Sequence, residues 1–212
     1  MTTIRVADVR YPVTTLGPGR RLVVWVQGCH LACPGCMSTD TWEPMAVFAE
    51  EVEAVVARCS DLVDEQLDGV TISGGEPFEQ PDGLRALVTG LRGALADREI
   101  DVLVYSGFTI EVLRHQHSAV LSQIDGVIAG RYLAEQPTTA PWRGSDNQQL
   151  VALTALGRAR YGHPAAGPVG LQVQLADGKL HLIGVPRPGD LERLQAALAD
   201  SGVHLREATW RM

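Results

Sequence analysis

Three of the four cysteines, Cys29, Cys33 and Cys36, fall within eight residues in the order Cys-x3-Cys-x2-Cys. Three thiolates on a tight loop can take three corners of a cubane 4Fe–4S cluster, whereas a cluster that only relays electrons needs four cysteines. The fourth iron then stays open to an outside ligand, which makes it a place to bind and reduce a substrate. Pro34 and Gly35 suit a loop whose backbone wraps closely round a bulky inorganic core. A disulfide framework would spread its cysteines along the chain, and in a reducing compartment clustered thiols more often bind metal. The competing reading is a structural zinc site, which needs four ligands, with His30 or Cys59 completing the set. His30 adjoins Cys29 and is poorly placed to chelate the same ion. Cys59 falls on the apolar face of an expected helix, where a free cysteine behaves as a small hydrophobe.

Two other segments follow apolar runs and could meet that loop. Gly74-Gly75-Glu76-Pro77 combines glycines that permit close backbone approach with a carboxylate able to accept from an ammonium group. Read alone it is a turn. Tyr105-Ser106-Gly107-Phe108-Thr109 likewise ends an apolar run, and Tyr105 reads equally well as a buried aromatic. His115, His117, His163, His181 and His204 show no chelating or triad arrangement. No nucleophile has a recognisable paired base, so ordinary hydrolytic chemistry has no support.

The elements needed to position these residues are legible as strands alternating with amphipathic helices. Residues 22–28 read as a buried strand running into the cysteine loop. Val52, Val55, Val56, Cys59, Leu62 and Val63 recur at helical spacing and predict a helix over 49–66. A strand is expected at Gly69–Ser73, a helix at 82–96 and a strand at 101–105. A further helix is expected at Ile110–Ser122 and a strand at Ile124–Ala129. This alternation implies parallel pairing with right-handed crossovers, in an α/β fold with too few strands for an eight-fold barrel. An open partial (β/α) barrel is the expectation, with ligands at the carboxyl ends of the strands. The cysteine loop, Gly74–Pro77 and Ser106–Gly107 would then share one rim.

Residues 135–147 read as an irregular loop, with Ser145 or Asn147 capping a helix that starts near 147. Val169–Leu175 and Lys179–Ile183 flank Ala176-Asp177-Gly178 and predict a hairpin. A helix at about 188–201 and a short final strand complete the reading. Residues 1–150 are expected to form the core domain and 151–212 a C-terminal β-hairpin plus helix extension packed on it.

At 212 residues, 45% apolar and 20% charged, the chain has the composition of an ordinary globular protein with a real core. A net charge of −7 and the lack of any Lys/Arg block argue against nucleic acid as a partner. The N-terminal residues do not read as a signal peptide, and no apolar stretch is long enough to cross a bilayer. No membrane partner and a cytoplasmic location are expected.

The cysteine triplet at the end of the first assigned strand resembles that of the radical S-adenosylmethionine enzymes. Gly17-Pro18-Gly19-Arg20 followed by Val24-Trp25-Val26-Gln27-Gly28-Cys29 is more narrowly similar to the activating enzymes of glycyl radical enzymes. So is Cys33-Pro34-Gly35-Cys36 with Thr41-Trp42 downstream. Within these, the segments most resemble the activators of anaerobic ribonucleotide reductase. Many superfamily members carry an aromatic residue before the third cysteine; Gly35 departs from that pattern and matches the reductase-activator subgroup. The resemblance spans about residues 16–150, and the segment after 165 matches less clearly.

The resemblance implies a 4Fe–4S cluster on Cys29, Cys33 and Cys36 and S-adenosyl-L-methionine as cofactor. Gly74, Gly75, Glu76 and Pro77 would bind its methionyl amino group. Ser106 and Gly107 would approach its ribose or carboxylate, and Arg143, in Trp142-Arg143-Gly144-Ser145, would pair with a carboxylate. Reductive cleavage would give a 5′-deoxyadenosyl radical that abstracts hydrogen from a backbone glycine of a glycyl radical enzyme partner. A flavodoxin or ferredoxin would supply the electron. A small molecule or peptide as direct substrate, and a non-catalytic zinc or redox binding module, are the alternative readings.

Overall fold

A computed structural model describes residues 1–162, 170–176 and 179–203. Seven strands form one sheet in the order β3-β1-β2-β4-β5-β6-β7. These are β1 (Thr3–Val13), β2 (Arg21–Val26), β3 (Ala49–Glu51), β4 (Gly69–Gly74), β5 (Asp101–Ser106), β6 (Gly126–Ala129) and β7 (Gln149–Ala152). Pairings β2–β4, β4–β5 and β5–β6 are parallel, and the remaining three are antiparallel. The four parallel strands are nearly continuous apolar runs, as strands covered on both faces must be.

Helices α1 (Val52–Leu62), α2 (Pro81–Ala94), α3 (Ile110–Gln116) and α4 (Ser118–Leu121) contribute to the larger core cluster. Val55 and Cys59 of α1, Leu84, Leu87 and Leu91 of α2 and Leu113 of α3 meet Val24, Ile72 and Val104 of the central strands there. Two smaller apolar clusters involve the alternate residues of those strands. One joins Val13, Leu16 and Val23 to Ile183, the other Leu103 and Ile128 to Trp142 and Tyr161. Tyr161 ends helix α5 (Ala155–Tyr161), and Ile183 lies in a separate antiparallel hairpin of β8 (Leu171–Ala176) and β9 (Lys179–Gly184). Thr15 Oγ1 donates to the Ile183 carbonyl and Gln172 Nε2 to that of Pro12, so the hairpin is joined to β1 and to the turn after it. Helix α6 (Asp190–Asp200) follows.

Most of the expected central strands and helices are present, with informative differences. Strand β1, the longest in the sheet, is not legible in the sequence because Arg, Asp and Tyr interrupt its apolar alternation. The helix expected from 49 begins only at Val52. Residues 49–51 instead pair with Thr3, Ile4 and Arg5, and Glu51 holds the extended conformation. The single helix expected over 110–122 breaks at His117, whose φ of −129° and ψ of 27° are not helical.

The helix expected near 147 is absent. Residues 149–152 form β7, paired antiparallel with β6, and the nearby helix α5 starts after Thr154, whose side chain accepts from Gly157 N. A free sheet edge at β6 outweighs the local helical signal of four residues. Ser145 and Asn147 therefore cap nothing: Ser145 Oγ accepts from Leu133 N and Asn147 Nδ2 donates to the Arg131 carbonyl. His163, Asp177, Gly178, His204 and the expected final strand lie outside the described residues. No helix among the described residues is long and apolar enough to cross a membrane.

Candidate cluster and cofactor site

The cysteine loop leaves the carboxyl end of β2 and is held there by its own return segment. Gly28 N donates to the Thr41 carbonyl at 2.7 Å and Cys29 N to that of Trp42 at 2.8 Å. The buried Gln27 side chain donates to the carbonyls of Asp40 and Glu43 at 3.1 and 2.7 Å. Thr41 and Trp42, noticed in the sequence as types, thus act here through their backbone. Three residues after β2 take positive φ, Gly28 at 109°, Ala32 at 44° and Gly35 at 74°. Gly35 faces Ala134 and Tyr132, where a Cβ would stand 3.4 and 3.5 Å from their side chains.

All four cysteines are free thiols. Cys33 is buried, while Cys29 and Cys36 are half-buried on the loop. Burial pushes the Cys29 thiol up, against the lowering effect of hydrogen bonds from the Leu31 and Ala32 backbone. Cys59 is fully buried in α1 and is pushed up to about 12 by burial, which keeps it a neutral core residue. His30 turns its ring to Glu79, with Nδ1 2.8 Å from Oε2. Neither residue proposed to complete a zinc site is therefore directed to the cysteine loop. Among the described residues no three His, Cys, Asp or Glu side chains converge as a single ion would need. A cubane asks something different of its ligands, since each thiolate binds a separate iron corner. Three free thiols on a loop shaped by Gly35 are a donor set that fits it.

Gly74–Pro77 lies directly against this loop. Gly75 N donates to the Val26 carbonyl at 2.8 Å and Glu76 N to the Gly28 carbonyl at 2.9 Å. Gly74 has a φ of 97°, and a Cβ on Gly75 would come within 2.2 Å of Gly28 O. The glycines are thus required by close approach of two backbones. Glu76 is 1% exposed. Its Oε1 accepts from Ser106 Oγ at 2.9 Å and Phe78 N at 3.0 Å, and its Oε2 from Gly107 N at 2.7 Å. Ser106 Oγ also accepts from Phe108 N at 3.0 Å. The Glu76 carboxylate therefore ties the end of β4 to the end of β5, using three of its roughly four acceptor positions. Gly107 is also covered by the loop: a Cβ there would stand 2.3 Å from Leu31 Cδ1.

Desolvation pushes the Glu76 carboxyl up to about 7 from 4.5, even though its three hydrogen bonds act to lower it. A value raised in the fold means that folding favours the protonated form. That contribution is complete below pH 4.5 and is lost as pH rises through about 7. Urea unfolding of the chain is expected to show roughly 3 kcal/mol less stability from this group above pH 7 than at pH 4.5. Glu76→Gln should flatten that slope; an equally steep slope in the variant would refute the assignment.

Arg143 is committed to its own loop. Its Nη1 donates to the carbonyls of Asp146 and Gln148 at 3.2 and 2.7 Å, and its Nη2 stands 3.6 Å from Asp146 Oδ1. The loop nevertheless reaches the same rim. Gln148 Nε2 donates to Gly130 O at 2.9 Å, Gly130 N to Ser106 O at 3.0 Å, and the Arg131 guanidinium to the Leu31 carbonyl. The loop that carries Cys29, Cys33 and Cys36 is thus packed against Gly74–Pro77 and Ser106–Gly107, whereas Arg143 is turned to its own loop. Sequence reasoning gave no role to the side chains of Gln27, Gln80 and Arg131, whose contacts are to backbone groups that no pattern reveals. Gln80 Oε1 accepts from Arg5 N at 2.8 Å, and its Nε2 donates to Gln27 O at 3.2 Å.

Residues 15–151 match the family described as the 4Fe-4S single cluster domain. The anaerobic ribonucleoside-triphosphate reductase-activating protein of Vibrio cholerae is 31% identical over 153 residues, covering 68% of this chain and 96% of the relative. That of Escherichia coli K12 is 31% identical over 147 residues, covering 65% and 92%. The protein of the same name from Enterobacteria phage T4 is 30% identical over 136 residues, covering 63% and 85%. With its cysteine loop, its Gly-Gly-Glu-Pro turn and these relatives, the chain belongs to the 4Fe-4S single cluster domain family, among the anaerobic ribonucleoside-triphosphate reductase-activating proteins.

Proposed function

We propose that this chain is a radical S-adenosylmethionine enzyme that activates a glycyl radical enzyme, the anaerobic ribonucleotide reductase. The observation that carries this reading is that the loop bearing three free thiols packs, through Gly28 and Leu31, against Gly74–Pro77 and Ser106–Gly107 at the carboxyl ends of parallel strands. Cys29, Cys33 and Cys36 hold the 4Fe–4S cluster in this reading. Gly74, Gly75, Glu76 and Pro77 form the cofactor-binding turn, Ser106 and Gly107 complete it through Glu76, and Arg143 stiffens the segment behind. A 4Fe–4S cluster held by Cys29, Cys33 and Cys36 would supply an open iron and the electron for reductive cleavage of S-adenosylmethionine, the chemistry needed to take hydrogen from a partner glycine. The chain's own work is orientation. The two short backbone contacts at Gly28 fix where Cys29 leaves the strand, and the buried Glu76 carboxylate holds two strand ends at constant spacing.

The four central parallel strands, with α1–α4 packed on one face, support an open partial (β/α) barrel. The end of the family match at 151 supports residues 1–150 as the core domain and 151–212 as an extension. A flavodoxin or ferredoxin as electron donor and a cytoplasmic location complete the reading.

The test is anaerobic reconstitution with iron and sulfide, then dithionite reduction with S-adenosylmethionine, with and without the reductase. A brown chain that releases 5′-deoxyadenosine and gives a protein-centred radical signal only with the reductase is the expected result. Release of 5′-deoxyadenosine without a protein radical would move the hydrogen donor to a small molecule or peptide. A colourless chain with one zinc and no cleavage would overturn the reading.

A further inference from the structure

Glu79 lies in the short turn after Pro77, and the sequence suggested no role for it. Its backbone is held by a hydrogen bond from its own N–H to the Glu76 carbonyl at 3.1 Å. Its carboxylate reaches back to the cysteine loop, where Oε1 and Oε2 accept from His30 N at 3.1 and 3.3 Å. The His30 ring meets the same carboxylate, although His30 is otherwise exposed. Next to it, Gln80 takes hold of Gln27 O from the other side of the strand end. Three successive amides are therefore pinned: Gly28 to Thr41, Cys29 to Trp42 and His30 to Glu79. Only the third is held by a side chain.

We propose that Glu79 is a positioning residue that fixes the direction in which Cys29 enters the cluster-binding loop, by clamping the His30 amide to the Gly-Gly-Glu-Pro turn. This rests on the cluster-binding role proposed above for Cys29. Hydrogen bonds to a carboxylate are stronger than neutral ones, and an otherwise exposed amide depends on such a partner for its order. The clamp couples two segments that are 49 residues apart in sequence. It makes the geometry of the first thiol depend on the turn that binds the cofactor.

Three variants of the full chain test this. Glu79→Ala removes every acceptor, Glu79→Gln keeps one carbonyl oxygen for the His30 amide, and His30→Ala removes the ring but leaves the amide. In the chain before reconstitution, hydrogen exchange at the residue 30 amide is expected to quicken about tenfold in Glu79→Ala. In Glu79→Gln and His30→Ala it should stay within about twofold of the parent. After reconstitution, Glu79→Ala should retain less iron per chain and show a raised KM for S-adenosylmethionine, with both restored in Glu79→Gln. Unchanged exchange in Glu79→Ala, or equal iron loss in Glu79→Gln and Glu79→Ala, overturns the proposal while leaving the cluster reading intact. A parent chain that takes up no iron overturns the cluster reading first, and the positioning role with it.

Discussion

Gly75→Ala is expected to lower reductive cleavage of S-adenosylmethionine on the order of 100-fold, although it adds one methyl group and removes no ligand. The added Cβ would stand 2.2 Å from the carbonyl oxygen of Gly28 and 2.8 Å from its carbon, both backbone atoms. Neither can rotate away as a side-chain tip could. Relief requires the two segments to separate by roughly 1 Å, in an interior with little free space. Gly28 immediately precedes Cys29, and its carbonyl accepts from Glu76 N, so the first thiol and the cofactor turn would move apart together. Cys33→Ala gives the reference for complete loss, because it removes one of the three proposed cluster ligands. The two differ in how they fail. Cys33→Ala should not hold an intact 4Fe–4S cluster, whereas Gly75→Ala should retain part of its iron and still lose turnover. Iron content and 5′-deoxyadenosine measured together separate these cases, and a Gly75→Ala chain with full turnover would refute the close-approach argument.

The second large effect concerns stability, at the opposite end of the sheet. Arg21 and Asp101 open β2 and β5, and both side chains are wholly buried. The guanidinium meets the carboxylate in a fork, Nη2 to Oδ2 at 2.7 Å and Nη1 to Oδ1 at 3.3 Å. Its remaining donors go to the carbonyls of Val70 and Pro18 at 2.6 and 3.1 Å and to Thr71 Oγ1 at 2.5 Å, and Tyr161 donates its hydroxyl to Asp101. Removing one partner leaves a charge buried without its counter-ion, which costs about 3–5 kcal/mol. Asp101→Asn is therefore expected to lower unfolding free energy by about that amount in urea titration. The double variant Arg21→Met with Asp101→Leu should recover most of the loss, because no unpaired charge remains. Because the pair lies at the amino ends of the strands, far along β2 from Cys29, cleavage by the folded fraction should be unchanged. A loss under 1 kcal/mol in Asp101→Asn would mean that water reaches the pair.

The fork also accounts for nearby glycines. A Cβ on Gly17 or on Gly69 would stand within 2.6 Å of Arg21 side-chain atoms. The Gly-Pro-Gly-Arg segment that marked the family resemblance thus makes room for a buried arginine far from the chemistry. Tyr161 follows the end of the family match, so its bond to Asp101 ties the later part of the chain to the sheet.

The sequence alone put three thiols on one loop with no fourth nearby, a feature legible as residue types and spacing. It determined the four central parallel strands and the helices α1 and α2, whose apolar periodicity is long and uninterrupted. It also located Gly74–Pro77 and Ser106–Gly107, since each ends an apolar run. Only the tertiary structure decided that Glu76 spends its carboxylate on Ser106, Gly107 and Phe78, and that Arg143 is held by its own loop. The same holds for β7, which forms because β6 offers an open edge, and for β1, whose polar residues conceal its period. The physical reason is common to all of these. Periodicity and spacing report what a residue does within its own element, whereas Glu79 on the His30 amide or Gly75 beside Gly28 depend on segments that meet only after the parallel strands have aligned.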